Sequence, residues 1–499
     1  MTALLHDLLD RTATAHPDTS AISHGDQVQS YRNLDAASRR IASWLATRGV
    51  RQGGRVLICL PTDPLVPALL YACSRAGAVF SMVNEQSPMV TLAHVLTDAE
   101  PILLVTDSPR ALAVAASHGV PTVGTAELRD VVQDGSDSAP AEPPLAVDPI
   151  CLIYTSGSTG MPKAVVSTHA QVVFAIKAIA SQLAYRADDV VWCALPLSFD
   201  YGMYQIFLST LAGARLHLAS PADTGPTLPR HLVSSAATVL PAVPALARGL
   251  VRMLSRPGTT VPTLRLLTNT GAAMPPEVLR DLRARIPTLR VQLMFGLTEC
   301  KRAAIMPVDE DLRRPGACGR ALPGTEILVV DADGATVPPD TVGEIVVRGP
   351  HVMAGYWRRP ELTAQRFPRV EGLFPQLRTG DHGWLDAEGY LYFVGRRDDI
   401  YKERGIRVSV TEVEAAAYRI PQIQAAAVLP PRVEDGGDSA TLFVVSELTA
   451  PEVLAALRTE LDEIKIPRTC LVVPEIPLTR NGKVDRAELY RMWSEHTCV

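Results

Sequence analysis

Short apolar runs alternate with segments of helical periodicity along the first four-fifths of the chain. Residues 55–60 (RVLICL) form an apolar run typical of a buried strand, and residues 66–76 then carry apolar residues every three or four positions. Residues 190–194 and 265–267 predict further strands. Strands that alternate with helices indicate an α/β fold with a substantial parallel sheet.

The last part of the chain has a different pattern. Apolar residues on one face predict a helix over 451–464, with a proline in its first turn. Shorter apolar runs at 425–429 and 441–445 predict strands. These elements indicate a small α+β domain that joins the rest of the chain near residues 395–405. The Pro-, Ser- and Asp-rich stretch at 133–149 predicts a surface linker.

Composition narrows the classes of protein that fit. The 499 residues exceed one ordinary domain, and a net charge of -5 with mixed signs excludes the basic footprint of a protein that binds nucleic acid or anionic lipid. The 8 cysteines form no CxxC pair and no Cys/His cluster, so a cytoplasmic protein without a zinc site or disulfide framework is expected. Residues 1–18 predict an amphipathic surface helix and not a signal peptide. No membrane span is expected, because Ser74 and Arg75 interrupt the best apolar run.

One segment carries a nucleotide-binding signal. Residues 152–169 (LIYTSGSTGMPKAVVSTH) place an apolar strand before a loop of Thr, Ser and Gly. Glycines let the backbone approach an anion, amides and hydroxyls donate to phosphate oxygens, and Lys163 adds a positive charge for the β/γ end of a triphosphate. A P-loop is excluded, because Lys163 follows Gly160 by three positions and Ala164 replaces the Ser or Thr that binds magnesium. The alternative is a flexible Ser/Gly turn. Only six of the 48 basic residues are lysines, so a lysine is expected to mark a position where a compact ammonium matters; the alternative is chance.

Four further motifs follow this loop in order. They are GLTE at 296–299, GEIVVRGPHVMAGYW at 343–357, RTGDHGWLDAEGYLYFVGRRDD at 378–399 and PLTRNGKVDR at 477–486. Together with the loop, they resemble the signature segments of the adenylate-forming superfamily, which contains acyl-CoA synthetases, adenylation domains of nonribosomal peptide synthetases and luciferases. The resemblance covers nearly the whole chain. It implies a large N-terminal domain (1–397) of parallel-rich sheets with helices, and a small mobile α+β C-terminal domain (398–499).

The resemblance also implies a reaction and its residues. Such enzymes use ATP and Mg²⁺ to join a carboxylic acid to AMP, release pyrophosphate and pass the acyl group to a thiol. Lys483 and Glu299 are the expected catalytic residues: an ammonium stabilises charge that develops at the α-phosphate, and a carboxylate is a hard ligand for magnesium. Asp398 is the expected hinge, and Gly405 is expected to face the thiol tunnel. The expected ATP- or AMP-binding residues are Thr155, Ser156, Gly157, Ser158, Thr159, Gly160, Lys163, Gly271, Ala272, Phe295, Thr298, Asp381, Phe393 and Arg396.

The acid pocket is expected to begin in residues 196–207 (PLSFDYGMYQIF). In amino-acid-activating members of the superfamily, an Asp after Phe binds the substrate ammonium, and Asp200 fits that position. A buried ammonium needs such a partner, although a structural cap is the alternative. Arg302 either grips a second anionic group of the substrate or, with Lys301, points outward or to phosphate. The expected substrate-binding residues are Asp200, Tyr201, Tyr204, Ala245, Thr270, Met294 and Arg302.

The thiol is expected to come from another molecule. Sixteen residues follow Lys483, and they contain no carrier domain, so the acceptor is phosphopantetheine on a separate carrier protein or coenzyme A. Selection of an amino acid favours the carrier protein. The sequence therefore predicts a freestanding amino-acid adenylation enzyme. The alternatives are an acyl- or aryl-CoA ligase and an inactive scaffold, and the intact Lys163, Glu299, Asp381 and Lys483 argue against the scaffold.

Overall fold

A computed structural model describes residues 3–137, 143–155, 161–372, 374–396, 400–403, 406–431, 439–461, 463–479 and 483–497, with the backbone alone at 221, 371, 396, 400, 402, 403, 406, 407, 464 and 497. Within these residues, thirteen strands form the larger sheet. In spatial order they are Glu326–Val330 (β16), Gly343–Arg348 (β17), Gln376–Leu385 (β19), Leu391–Arg396 (β20), Ala317–Ala321 (β15), Ala304–Ile305 (β14), Arg290–Phe295 (β13), Leu266–Asn269 (β12), Val239–Ala242 (β11), Val190–Cys193 (β9), Arg215–Leu218 (β10), Ser20–His24 (β1) and Gln27–Ser30 (β2). The strands from β13 to β1 are parallel, and those from β16 to β14 pair antiparallel where they are neighbours.

A second sheet carries the predicted phosphate loop. Among the described residues its seven strands are, in spatial order, Gly355–Tyr356 (β18), Lys163–Thr168 (β8), Pro149–Thr155 (β7), Val79–Met82 (β4), Arg55–Cys59 (β3), Leu103–Thr106 (β5) and Thr122–Val123 (β6). The apolar run at 55–60 is confirmed as a buried strand with parallel neighbours on both sides. Strands β7 and β8 form an antiparallel hairpin, in which Thr155 pairs with Lys163.

Helices cover the sheets, as the α/β pattern predicts. They are His6–Ala15 (α1), Tyr31–Thr47 (α2), Leu65–Arg75 (α3), Met89–Ala99 (α4), Pro109–Ser117 (α5), Thr125–Asp134 (α6), His169–Ala180 (α7), Asp200–Ala212 (α8), Leu228–Ser234 (α9), Pro244–Leu254 (α10), Pro276–Arg285 (α11) and Pro360–Arg366 (α12). One apolar core joins strands of both sheets with α1, α2, α3, α7 and α8. On the other face of the larger sheet, alternate strand residues such as Trp192, Leu240 and Leu267 pack against α9, α10 and α11. This two-sided burial explains why the parallel strands β9 (VVWC) and β11 (VLPA) are continuous apolar runs.

The C-terminal part forms its own α+β unit, as predicted. Its elements are Ile400–Glu403 (β21), Ile406–Ser409 (β22), Val410–Tyr418 (α13), Ile423–Leu429 (β23), Thr441–Ser446 (β24), Ala450–Leu457 (α14), Thr469–Val472 (β25) and Arg486–Thr497 (α15). The prediction of one helix over 451–464 is wrong, because α14 ends at Leu457. The Arg458 amide donates to the Ala455 carbonyl oxygen at 3.2 Å, and a three-residue turn replaces the helix. Leu461 still packs on the core of this unit, so the apolar spacing continues past the helix end.

Two further expectations agree with the described part of the chain. Its cysteines are free, and six of these seven are buried. None of its helices combines the length and the apolar composition that crossing a membrane requires.

Histidines in the interior make the stability of the fold depend on pH. Burial lowers the pKa of His6, His169, His217 and His351 from 6.5 to about 4. Above the ordinary pKa both the folded and the unfolded chain are neutral at these positions, and stability is complete. As the pH falls towards 4, the unfolded chain binds protons that the folded chain excludes. We expect the urea midpoint to fall steadily between about pH 6.5 and about pH 4.

A single substitution isolates one of these groups. Neither ring nitrogen of His351 has a hydrogen-bond partner among the described residues. His351→Leu should therefore weaken the pH dependence of the unfolding free energy by about 1.4 kcal/mol per pH unit between the two pKa values. The matched control is His118→Leu at an exposed position. Equal slopes in wild type and His351→Leu would contradict the assignment.

Candidate active site

The candidate residues gather at the carboxyl ends of the central parallel strands. Helix α8 begins at Asp200 shortly after β9 ends, Thr270 follows β12, and Phe295 ends β13. Carboxyl ends of parallel strands lie at one edge of a sheet, where open α/β sheets bind ligands. The topology thus brings segments that are distant in sequence to one edge.

Asp200 occupies the first turn of α8 and is 4% exposed. Gly202 permits this position, because a Cβ there would lie 2.4 Å from the Pro196 carbonyl oxygen. The helix therefore packs directly on the turn that precedes it. The N-terminus of a helix favours a negative charge, so α8 supports the carboxylate at the pocket.

The loop after β13 folds back and carries Lys301 and Arg302 into the interior. The Lys301 amide donates to the Leu297 carbonyl oxygen at 2.7 Å. Gly296 is required for this turn, because a Cβ there would lie 2.1 Å from the Lys301 carbonyl oxygen. Lys301 itself has a φ of 64°. This left-handed conformation costs a residue with a Cβ about 1–2 kcal/mol.

Lys301 is fully buried, although its role was open from the sequence. Its Nζ donates to the Thr298 carbonyl oxygen at 3.0 Å and lies 5.7 Å from the centroid of the Tyr204 ring. Burial lowers the pKa of the ammonium, and the Asp200 carboxylate acts in the opposite direction as the largest of the charges around it. The scarcity of lysine in the sequence is the signal that could have singled this residue out.

Arg302 lies beside this lysine and is 3% exposed. Its guanidinium lies 4.9 Å from the centroid of the Tyr201 ring, and its Nη1 donates to the Lys301 carbonyl oxygen at 2.8 Å. Its Nε has no hydrogen-bond partner among the described residues. The alternative in which Lys301 and Arg302 point outward is excluded, because both are buried.

Two neutral groups of the predicted pocket are also buried without partners. The Tyr204 hydroxyl and the Thr270 Oγ1 have no hydrogen bond within the described residues. Buried polar atoms are normally satisfied, so unsatisfied ones on α8 and after β12 fit a polar ligand. Met294 is buried on β13, whereas Ala245 is exposed in the first turn of α10.

The predicted adenosine-binding residues lie on strands of the larger sheet or in the turn that follows β12. The rings of Phe295 and Phe393 are 5.6 Å apart, and the backbones of Asp381 and Arg396 pair across β19 and β20. Asp381 is 4% exposed. Gly271 has a φ of 85° in the turn after β12 and is followed by Ala272, which is exposed.

Lys163, Tyr356 and Glu299 form a connected set near the phosphate loop. Lys163 Nζ lies 4.1 Å from the centroid of the Tyr356 ring, and the Tyr356 hydroxyl donates to Glu299 Oε1 at 2.6 Å. Among the described residues, no hydrogen bond occupies Glu299 Oε2. A carboxylate oxygen, together with phosphates and water, is the ligand set that Mg²⁺ takes, so these residues fit the ion. No role was predicted for Tyr356, which follows Glu299 by 57 positions.

The remaining predicted residues lie outside the described part of the chain, at the ends of β7 and β8, or in the C-terminal unit. Ser156, Gly157, Ser158, Thr159, Gly160, Asp398 and Gly405 lie outside the described residues, as does the side chain of Arg396. Thr155 and Lys163 face each other where β7 and β8 enter the loop. Lys483 is exposed, and its amide donates to Thr479 Oγ1 at 3.2 Å.

Ala164, which follows Lys163 on β8, packs in the sheet. It is 1% exposed and lies in an apolar cluster with Val79, Ala99 and Leu152. The methyl group therefore contributes to the sheet.

The chain is similar to known enzymes that bind AMP. Residues 9–357 match the family model of the AMP-binding enzyme, and residues 412–483 match that of the AMP-binding enzyme C-terminal domain. A feruloyl-CoA synthase from Amycolatopsis sp is 30% identical over 96% of this chain and 97% of its own length. An L-proline–[L-prolyl-carrier protein] ligase from Pseudomonas fluorescens is 29% identical over 98% of this chain and 99% of its own. The structure of VinN with L-aspartate is 38% identical, with a TM-score of 0.72 over 79% of this chain and 98% of VinN.

The chain therefore belongs to the AMP-binding enzyme family, the adenylate-forming ligases. It is an AMP-forming ligase that binds ATP.

Proposed function

We propose that this ligase activates an amino acid that carries a second carboxylate and passes it to the phosphopantetheine thiol of a separate carrier protein. In the first step, an oxygen of one substrate carboxylate attacks the α-phosphorus of ATP, and pyrophosphate leaves. In the second step, the thiol loses its proton, its sulfur attacks the acyl carbon, and AMP leaves.

The observation that carries the proposal is the burial of one carboxylate and two cations in one pocket. Asp200, Lys301 and Arg302 are each less than 5% exposed. Buried charges are costly unless they are paired. A substrate ammonium completes the Asp200 side, and a second substrate carboxylate completes the cationic side. Lys301 also carries a strained backbone, and such strain is enriched at active sites and ligand clamps.

Two similarities support the proposal. L-aspartate, which is named in the structure of VinN, has an ammonium and two carboxylates. The prolyl-carrier protein ligase matches this chain over almost its full length and supports a carrier protein as the acceptor. The feruloyl-CoA synthase supports the second candidate, an acyl- or aryl-CoA ligase. Ferulate offers neither an ammonium for Asp200 nor a second carboxylate for Arg302, so the pocket favours the first.

We also propose residues 1–397 and 398–499 as the two domains, with Asp398 as the hinge and Gly405 at the thiol tunnel. In the described structure the Arg248 guanidinium of the large domain lies 4.7 Å from the ring centroid of Tyr418 in the small domain. Rotation of the small domain would bring the exposed Lys483 to the acyl-phosphate centre for adenylation and withdraw it for thiol transfer.

A matched panel of acids tests the substrate class. L-aspartate, L-alanine and succinate differ by the loss of the second carboxylate or of the ammonium, and ferulate lacks both. ATP–pyrophosphate exchange and trapping with hydroxylamine should give the highest kcat/KM for the dicarboxylic amino acid. A preference for succinate or ferulate would contradict the proposal. Coenzyme A and a phosphopantetheinylated carrier protein are then compared as acceptors of the best acid.

Removing the Arg302 charge tests the second-carboxylate site. Arg302→Gln should lower kcat/KM for aspartate by about 10²-fold, because a charged hydrogen bond to a buried carboxylate is lost. The same change should leave kcat/KM for alanine unchanged or raise it, since alanine has no second carboxylate to pair with this cation. Parallel losses for both acids would show that Arg302 has a structural role only.

A further inference from the structure

Tyr356 lies where the phosphate-loop hairpin meets the acidic residue of the GLTE motif. It belongs to β18 and pairs with Val165 on β8, two positions after Lys163. The side chain is 4% exposed. Its amide donates to Thr363 Oγ1 at 2.9 Å, and its ring meets the Phe367 ring edge-on at 5.5 Å. The ring is therefore fixed by its surroundings.

Each end of this side chain contacts a different group of the nucleotide site. The ring face lies 4.1 Å from Lys163 Nζ, and the hydroxyl donates to Glu299 Oε1 at 2.6 Å.

We infer that Tyr356 is a positioning residue that sets the phosphate-loop lysine and the acidic magnesium ligand relative to each other. An ammonium over an aromatic face is attracted by the ring quadrupole, more strongly where water is excluded. The hydroxyl occupies one oxygen of Glu299 and thereby directs the other oxygen. Because one rigid ring holds both groups, the charges that receive the phosphates and their counter-ion keep a fixed separation. This role rests on the ATP-dependent chemistry of the family and is independent of the acid.

Two substitutions at Tyr356 separate its two contacts. Tyr356→Phe keeps the ring and removes the donor, so ATP affinity without Mg²⁺ should be unchanged, while the gain in affinity on adding Mg²⁺ should fall about threefold to tenfold. Tyr356→Leu also removes the aromatic face and should weaken ATP binding about tenfold with or without Mg²⁺. Isothermal titration calorimetry with ATP, and with no acid present, measures both effects on the full-length protein.

Tyr31→Phe is the matched control, because it removes another buried hydroxyl that has no contact with the predicted nucleotide-binding residues within the described structure. The Tyr31 hydroxyl donates to the Ala214 carbonyl oxygen at 2.6 Å. The substitution should leave ATP binding unchanged. The double variant Lys163→Met with Tyr356→Leu should weaken ATP binding by less than the product of the two single effects, since both substitutions remove the same contact between the ammonium and the ring. Exact multiplication of the single effects, or a Tyr356→Phe variant that matches Tyr31→Phe at every Mg²⁺ concentration, would overturn the inference. No outcome of these binding measurements bears on the choice of acid.

Discussion

Replacing Lys483 by alanine is expected to slow acyl-AMP formation by about 10²- to 10³-fold while ATP affinity and the fold change little. The lysine is exposed on the small domain and would reach the acyl-phosphate centre only when that domain closes. Its ammonium would then stabilise charge that develops in the transition state, so turnover should depend on it more than ground-state binding does. Single-turnover formation of acyl-AMP and calorimetric titration with ATP measure the two quantities.

Lys465→Ala provides the matched control for this prediction. Lys465 belongs to the same domain, but its Nζ donates to Glu412 at 2.7 Å and has no assigned catalytic role. This variant should adenylate at nearly the wild-type rate. Transfer from chemically synthesised acyl-AMP to the thiol should survive in Lys483→Ala, because that step follows adenylation. Wild-type adenylation by Lys483→Ala would remove the catalytic assignment.

Replacing Asp200 by asparagine is expected to lower kcat/KM for the cognate amino acid by about 10²-fold or more. The substrate ammonium would then be buried opposite a neutral amide, and an unpaired buried charge costs about 3–5 kcal/mol. The loss should fall mainly on substrates with an ammonium. Steady-state pyrophosphate exchange with L-aspartate and with succinate, its des-amino analogue, measures the difference.

Succinate also controls for an indirect effect. Among the charges around Lys301, the Asp200 carboxylate raises the pKa of its buried ammonium most. The substitution therefore disturbs the cationic side of the pocket for both substrates. Only the difference between the two acids reports the pairing with the substrate ammonium. If both acids lose activity equally, Asp200 has a structural role, and the acyl-CoA ligase becomes the better proposal.

Apolar patterning predicted much of the fold for a definite physical reason. The strand at 55–60 is buried on both faces, and such strands need a continuous apolar run. The same reasoning extended α14 too far, because the three-residue turn after Leu457 also keeps Leu461 on the core side. Apolar spacing records which residues face the core and not which hydrogen bonds connect them.

The site was predictable where it depends on strand ends and not where it depends on backbone turns. Asp200 and Thr270 follow the strands that the pattern identified at 190–194 and 265–267, whereas β13, which Phe295 ends, was not predicted. The burial of Lys301 depends on the close approach that Gly296 permits, and no side-chain pattern records that turn. Tyr356 reaches the site through the pairing of β18 with β8, a long-range contact that local sequence does not encode.

The left-handed backbone of Lys301 restricts how the charge of the pocket can evolve. Most single substitutions there would retain the φ of 64° together with a Cβ, and only glycine and, to a smaller degree, asparagine relieve that strain. A neutral pocket is therefore reached most easily through Lys301→Gly or Lys301→Asn. Libraries that aim to redirect this enzyme to uncharged acids should begin from these two residues and then vary Arg302, whose backbone is not left-handed.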